Sequence, residues 1–244
     1  LSGLVGSEMC IRDRNKIAKF NPDIIHVHNL FPNFSTSWMK KAKQPIVVSI
    51  HNYRPICAAG TLFRDGKTCF DCVDAGCSAP SIRHSCYKGS KIATIPLAIS
   101  NRKLSMDSAL AKHTSKIFVL TEEAKNIYMR SGWPEEKIQV LPNFVSTPSD
   151  LKEKPGTSKA NGFWLYVGRL SPEKGITNLV KEWPTGKRLV IVGDGSEFNK
   201  IEELIASNQE VSLKGRMPNQ KVLELMSEAE GLIFPSLWPE GLPL

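Results

Sequence analysis

Short apolar runs alternate with helical patterns along this chain, in two series separated by a stretch that has no apolar period. In the first series Ile24–His28, Ile46–His51, Ile117–Leu120 and Ile138–Leu141 read as strands. Helices are expected over Asn33–Lys41 and over Ser90–His113, the latter with a kink at Pro96. A further helix starts at Glu122-Glu123, capped by Thr121 and stopped by Gly132. Thr147–Asn161 carries Pro148, Pro155, Gly156 and several hydroxyl residues, and reads as a linker. The second series has strands at Phe163–Val167, Leu189–Val192, Val211–Leu213 and Gly231–Phe234, with helices at Glu173–Trp183, Ser196–Ser207 and Asn219–Glu228. Strands alternating with helices of this length imply parallel sheets. The expected class is α/β: two Rossmann-like domains whose parallel sheets face a cleft.

The boundaries follow. Residues 1–14 have neither periodicity and read as a sequencing or assembly scar. Residues 15–146 form the first domain, interrupted by an irregular, cysteine-rich insertion at 52–89. Residues 147–161 link it to the second domain, 162–244, and the last residues stop inside a motif. Both domains are therefore expected to be incomplete, and the piece by itself inactive. No apolar run reaches the roughly 18 residues that a spanning helix needs. A formal charge of +8 and a pI near 9.2 favour an anionic partner: a nucleoside diphosphate, an acidic membrane surface or a nucleic acid.

One octapeptide narrows the choice. Gly168-Arg169-Leu170-Ser171-Pro172-Glu173-Lys174-Gly175 follows a strand directly. Ser171 suits a helix N-cap and Pro172 the first helical position. Arg169 on the turn and Lys174 in the first helical turn would then put two cations beside a helix N-terminus, where a diphosphate is held. Val192-Gly193-Asp194-Gly195-Ser196 is a second strand-to-helix turn, and Leu213-Lys214-Gly215-Arg216-Met217 a third. Gly193 and Gly195 also suit a purely structural tight turn, which is the favoured reading for Asp194. The last motif is Phe234-Pro235-Ser236-Leu237-Trp238-Pro239-Glu240-Gly241-Leu242-Pro243-Leu244.

Taken in this order, G-R-L-S-P-E-K-G and F-P-S-L-W-P-E-G-L-P-L resemble the C-terminal half of family 4 retaining glycosyltransferases, which have the GT-B fold. The resemblance runs from about Pro22 to the end. It implies that Arg169 and Lys174 bind the donor phosphates, with no cofactor required for catalysis. It places Gly168, Gly193, Gly215, Arg216 and Met217 on loops of the donor site. It implies that Glu240 is the first glutamate of an E-x7-E element and faces the transferred sugar or the catalytic centre. The second glutamate and the family's first glycine-rich loop are missing from this sequence. His51, at the end of its strand, resembles the histidine near the reacting sugar, so His51 and Glu240 are the catalytic candidates. His26 and His28 share a strand face; they read either as a metal pair or as the family's usual strand end.

Five of the six cysteines fall within 52–89. Cys69 and Cys72 form a Cys-x2-Cys knuckle, and Cys57 and Cys86 would complete a tetrahedral thiolate site for structural zinc. Unligated thiols and disulfides stay open as alternatives, and Cys77 is spare. The basic stretch Arg83, His84, Lys88, Lys91, Arg102 and Lys103 reads either as a membrane-surface contact or as a solvated helix face. The expected activity is transfer of a sugar from a nucleoside-diphosphate sugar to a saccharide or lipid-linked acceptor. The expected setting is cytoplasmic, or peripheral at the inner membrane face. One alternative is an inactive or glycan-binding relative. Another is a zinc-knuckle nucleic-acid binder, which would need basic residues interleaved with aromatics; that pattern is not seen, and no nucleic acid is expected.

Overall fold

The computed structural model describes residues 15–29, 36–101, 108–144 and 162–242. These residues fall into two compact units. The first takes the described chain up to 144, apart from the short stretch 65–67, together with 239–242; the second takes that stretch and 162–238. The expected linker, the expected scar at 1–14, and Arg102 and Lys103 lie outside the described residues.

The first unit is built on four parallel strands: β1 (Ile25–His28), β2 (Ile46–Ile50), β3 (Lys116–Val119) and β4 (Ile138–Val140), adjacent in that order. Val27, Val48, Ile50, Ile117 and Val119 are buried. His26 and His28 alternate with Val27 and emerge on the opposite face. Thr121 caps the helix Glu122–Arg130 by accepting from the Ala124 amide at 3.0 Å, and Gly132, at φ +87°, follows its end.

The single helix expected over Ser90–His113 is replaced by two, Lys91–Ser100 and Ala109–His113, each capped by a serine side chain, Ser90 or Ser108. Asn101 ends the first for a tertiary reason. It is buried; its side-chain amide donates to the Arg54 carbonyl at 2.6 Å, and its own carbonyl accepts from the Ser78 hydroxyl at 2.7 Å. The first helix runs through Pro96. The insertion is less irregular than expected, since short helical turns form at Asp71–Asp74 and Ala79–Arg83. Of the helix expected over Asn33–Lys41, the described part is a 3-10 turn, Ser37–Lys41.

The second unit holds β5 (Phe163–Val167), β6 (Arg188–Val192), β7 (Val211–Leu213) and β8 (Gly231–Leu232), all parallel, in the order β8-β5-β6-β7. Both faces of this sheet are covered. On one side Tyr166, Leu189 and Ile191 pack with Leu170, Ile176 and Ile201. On the other, Leu165, Val190 and Val192 pack with Val222 of the helix Asn219–Glu228. Burial on both faces explains why these strands read as unbroken apolar runs.

Candidate functional site

The loops that leave β5, β6 and β7 enclose an open cleft of about 610 Å³. Of the residues expected there, Gly168, Arg169, Gly193, Arg216 and Met217 line it, and Asp194 and Gly195 join them. Backbone hydrogen bonds lock the three loops together. The Gly168 amide donates to the Val192 carbonyl at 3.0 Å, Leu170 N–H to the Asp194 carbonyl at 2.9 Å, and Gly193 N–H to the Gly215 carbonyl at 2.9 Å. Gly215 therefore supports the cleft from behind. Gly193 has φ +149°, and a Cβ built on it would run into the carbonyl oxygen of Gly168. The second loop must therefore be glycine to close against the first.

The octapeptide folds differently from its reading. Ser171 stands in the N-cap position and Pro172 in the first helical one, but the turn they open is a 3-10 segment, Pro172–Lys174, with no side-chain cap. The Ser171 hydroxyl donates to Glu173 Oε1 at 2.7 Å instead. The α-helix proper, Ile176–Lys181, begins after Gly175. Gly175 has φ +69°, and a Cβ there would also strike the Pro235 carbonyl, so the position requires glycine on both counts. Lys174 thus ends a 3-10 turn and is not in the first turn of an α-helix. Its ammonium lies 5.5 Å from the Trp238 ring centre, a cation–π contact. Leu237 N–H donates to the Glu173 carbonyl at 2.9 Å, which ties the F-P-S-L-W segment to this turn. Arg169 lies 3.8 Å from Glu173; its side chain is 69% exposed, so the pair constrains it weakly and leaves it facing the cleft.

In the first unit, His51 follows β2 and lines a small pocket with Asn29, Ser49, Asn52 and the apolar Val27 and Val48. His51 Nε2 and His28 Nδ1 share a hydrogen bond of 2.9 Å. Burial lowers the His51 pKa, and the neighbouring His28 and His26 lower it further. Glu240 is half-buried. Its carboxylate adds to the effects of burial and of Glu123 in pushing the Tyr53 phenol up. Gly241 stands beside the His51 carbonyl, 3.5 Å from a built Cβ.

The expected zinc ligands Cys57, Cys69, Cys72 and Cys86 are all partly buried, and no disulfide joins them. They are close enough to act on one another: burial pushes the Cys72 thiol up to about 12, with Cys57, Cys86 and Cys69 contributing. Yet among the described residues no group of three or more His, Cys, Asp or Glu is arranged to hold a metal ion.

Sequence reasoning read Asp194 as a turn residue only, and passed over Trp238 and the His28–His51 contact. Asp194 holds its turn through Oδ1, which accepts from Gly195 N–H at 2.7 Å, and it also lines the cleft. Trp238 stood next to the P-E-G motif, and His28 was in view as half of H-V-H.

Residues 7–148 match the family described as Glycosyltransferase Family 4, and residues 149–244 match Glycosyl transferases group 1. The chain belongs to glycosyltransferase family 4. Two curated relatives come from Methanocaldococcus jannaschii. The glycosyltransferase MJ1059 is 29% identical over 54% of this chain and 36% of its own length; MJ1607 is 22% identical over 90% and 53%. This family 4 chain therefore spans about half or less of the length of those relatives. Its fold is that of GT-B glycosyltransferases. The apo lipopolysaccharide outer core galactosyltransferase WaaB aligns with a TM-score of 0.57 at 19% identity, over 97% of this chain and 56% of that one. Sucrose-phosphate synthase from Thermosynechococcus elongatus aligns at 0.61 and 15%, over 98% and 56%. Anabaena HepE, in complex with UDP and glucose, aligns at 0.54 and 16%, over 93% and 57%. Among the described residues no helix is long and apolar enough to cross a membrane.

Proposed function

We propose that this chain carries the donor cleft and part of the acceptor side of a transferase. The transferase moves a sugar from a nucleoside-diphosphate sugar to a saccharide acceptor with retention of anomeric configuration. The cleft between the loops of Gly168–Arg169, Gly193–Gly195 and Arg216 carries this reading. It combines glycine backbone that a phosphate can approach closely with two guanidinium groups. As the anomeric C–O bond to the diphosphate breaks, its electron pair leaves with the phosphate oxygen. The acceptor hydroxyl attacks the same face and gives its proton to that oxygen. The cations of Arg169, on the cleft wall, and of Lys174, on the turn that follows it, would stabilise the charge that develops there, which is the work otherwise asked of a divalent metal. His51 and Glu240 would face the transferred sugar. Solved neighbours fit this reading: HepE is in complex with UDP-glucose in one structure, and the pneumococcal O-GlcNAc transferase GtfA with UDP and GlcNAc in another.

A lipid-linked acceptor met at the inner membrane face is the finer form of the proposal. Ile92, Ile95 and Ile99 are exposed on the helix Lys91–Ser100, at the spacing of one helix face, with Arg83, Lys88 and Lys91 also exposed. Sedimentation with anionic vesicles tests it: wild type should co-sediment, and an Ile92→Ser, Ile99→Ser variant should not. For the activity, release of nucleoside diphosphate from a panel of UDP-, GDP- and ADP-sugars is measured in the full-length enzyme. Arg169→Ala and Lys174→Ala should each lower turnover by roughly 10- to 100-fold, the worth of a charge-assisted hydrogen bond. Unchanged turnover in both would sink the proposal.

A further inference from the structure

One face of the first sheet gathers polar side chains that the reading above does not use. In the parallel register of β1 and β2, His26 pairs with Val47 and His28 with Ser49. His51 stands two residues beyond Ser49, so it follows on the same side. His26 Nε2 and Ser49 Oγ share a hydrogen bond of 2.9 Å, and the rings of His26 and His28 lie 4.2 Å apart. The rings of His28 and His51 meet edge to edge, 5.2 Å between centres and 25° from parallel, with Nδ1 of His28 and Nε2 of His51 2.9 Å apart.

A hydrogen bond between two imidazole nitrogens holds one proton. One nitrogen must donate and the other accept. Two imidazolium rings would set two N–H groups against each other, so this geometry admits at most one positive charge on the pair. The groups around it do not relieve that limit. From β1 comes His26, from β2 Ser49, and from β3 the Phe118 ring, 6.1 Å from that of His26. Asn52 donates to Asn29 Oδ1 at 3.3 Å nearby. Burial disfavours the proton on His51, and the neighbouring His28 and His26 disfavour it further.

We propose that His28 is a positioning residue for His51. It occupies Nε2, holds the ring in one orientation through that hydrogen bond, and keeps it neutral, so that Nδ1 is the ring nitrogen offered to a ligand. The inference rests on the reading of His51 as a residue of the transfer site, and it adds how that residue is prepared. A neutral ring with one nitrogen already engaged is pre-organised to make a single hydrogen bond to a sugar hydroxyl. It does not add a second positive charge to a pocket that must also admit an acceptor.

The test uses this chain with 15N-labelled histidine. Its five histidines can be assigned one substitution at a time. Long-range 1H–15N correlations report the tautomer and charge of each ring across a pH titration. Wild type should show His51 in one tautomer, with Nε2 hydrogen-bonded and its midpoint below that of an ordinary histidine. In His28→Ala the His51 midpoint should move upward toward that of an ordinary histidine, and its tautomers should mix. His28→Gln, whose side-chain amide can donate to Nε2 or accept from it, should restore the hydrogen bond there and with it a single tautomer. It also supplies the readout if the alanine variant does not fold. A His51 midpoint and tautomer indifferent to both substitutions would overturn the inference. In the full-length enzyme, His28→Ala should move the acidic limb of the pH–rate profile and cost up to about 100-fold in turnover. Wild-type turnover in His51→Ala would remove His51 from the transfer site while leaving the pairing of the two rings intact.

Discussion

The carbonyl oxygen of Gly168 occupies the space into which a side chain on residue 193 would project. The first and second loops of the cleft are thus built against each other through backbone alone. Each strand end is fastened as well: Gly168 N–H to Val192, and Gly193 N–H to Gly215. Gly193→Ala must therefore push the two loops apart or abandon φ +149°. We expect a loss of about 1–3 kcal/mol in stability, read as a lowered urea midpoint. Affinity for nucleoside diphosphates should fall with it, because the spacing of the cleft is what changes. A variant with wild-type stability would show that the loops are not in contact.

Acidification from pH 7.5 to 5.5 should destabilise the fold. His26, His51 and His113 all have lowered pKa values, each chiefly through burial. Their folded forms bind protons less readily than the unfolded chain does, whose histidines titrate near 6.5. The stabilisation is thus fully present above that value and is lost as pH falls through the lowered folded values. Asp71, held low mainly by its hydrogen bond from Arg64, acts the same way only below the ordinary carboxylate value of 3.8, outside this window. Urea midpoints at the two pH values check this; a midpoint that rises on acidification contradicts it.

The fold was largely legible, for an identifiable reason. Strands buried on both faces declare themselves as apolar runs, and β5, β7 and the helix Asn219–Glu228 fall where the sequence put them. What escaped depended on partners distant in the chain. The helix break at Asn101 is set by Arg54 and Ser78. The tight turn at Lys174 is set by Gly175 packing on the Pro235 carbonyl. The cleft residues Gly168, Arg169, Gly193, Arg216 and Met217 were readable because each sits just beyond a strand, where α/β sheets place their ligands. Asp194 looked like a turn residue and is one; that it also lines the cleft is a fact of three dimensions.

Cys72 should be the slow thiol of the insertion. With its pKa pushed up to about 12, chiefly by burial, Cys72 stays a thiol at neutral pH and should react slowly with alkylating reagents. Alkylation of Cys72 in the folded protein at the rate of a free cysteine would contradict this.

If the loops after β5, β6 and β7 form a diphosphate site, a bound nucleotide must shield their backbone amides. Hydrogen exchange with and without saturating UDP, GDP or ADP reads this out. Exchange should slow at 168–175, 193–197 and 214–217 with at least one of the three nucleotides, and that protection should be lost in Arg169→Ala. Protection confined to other segments, or none with any nucleotide, would contradict it.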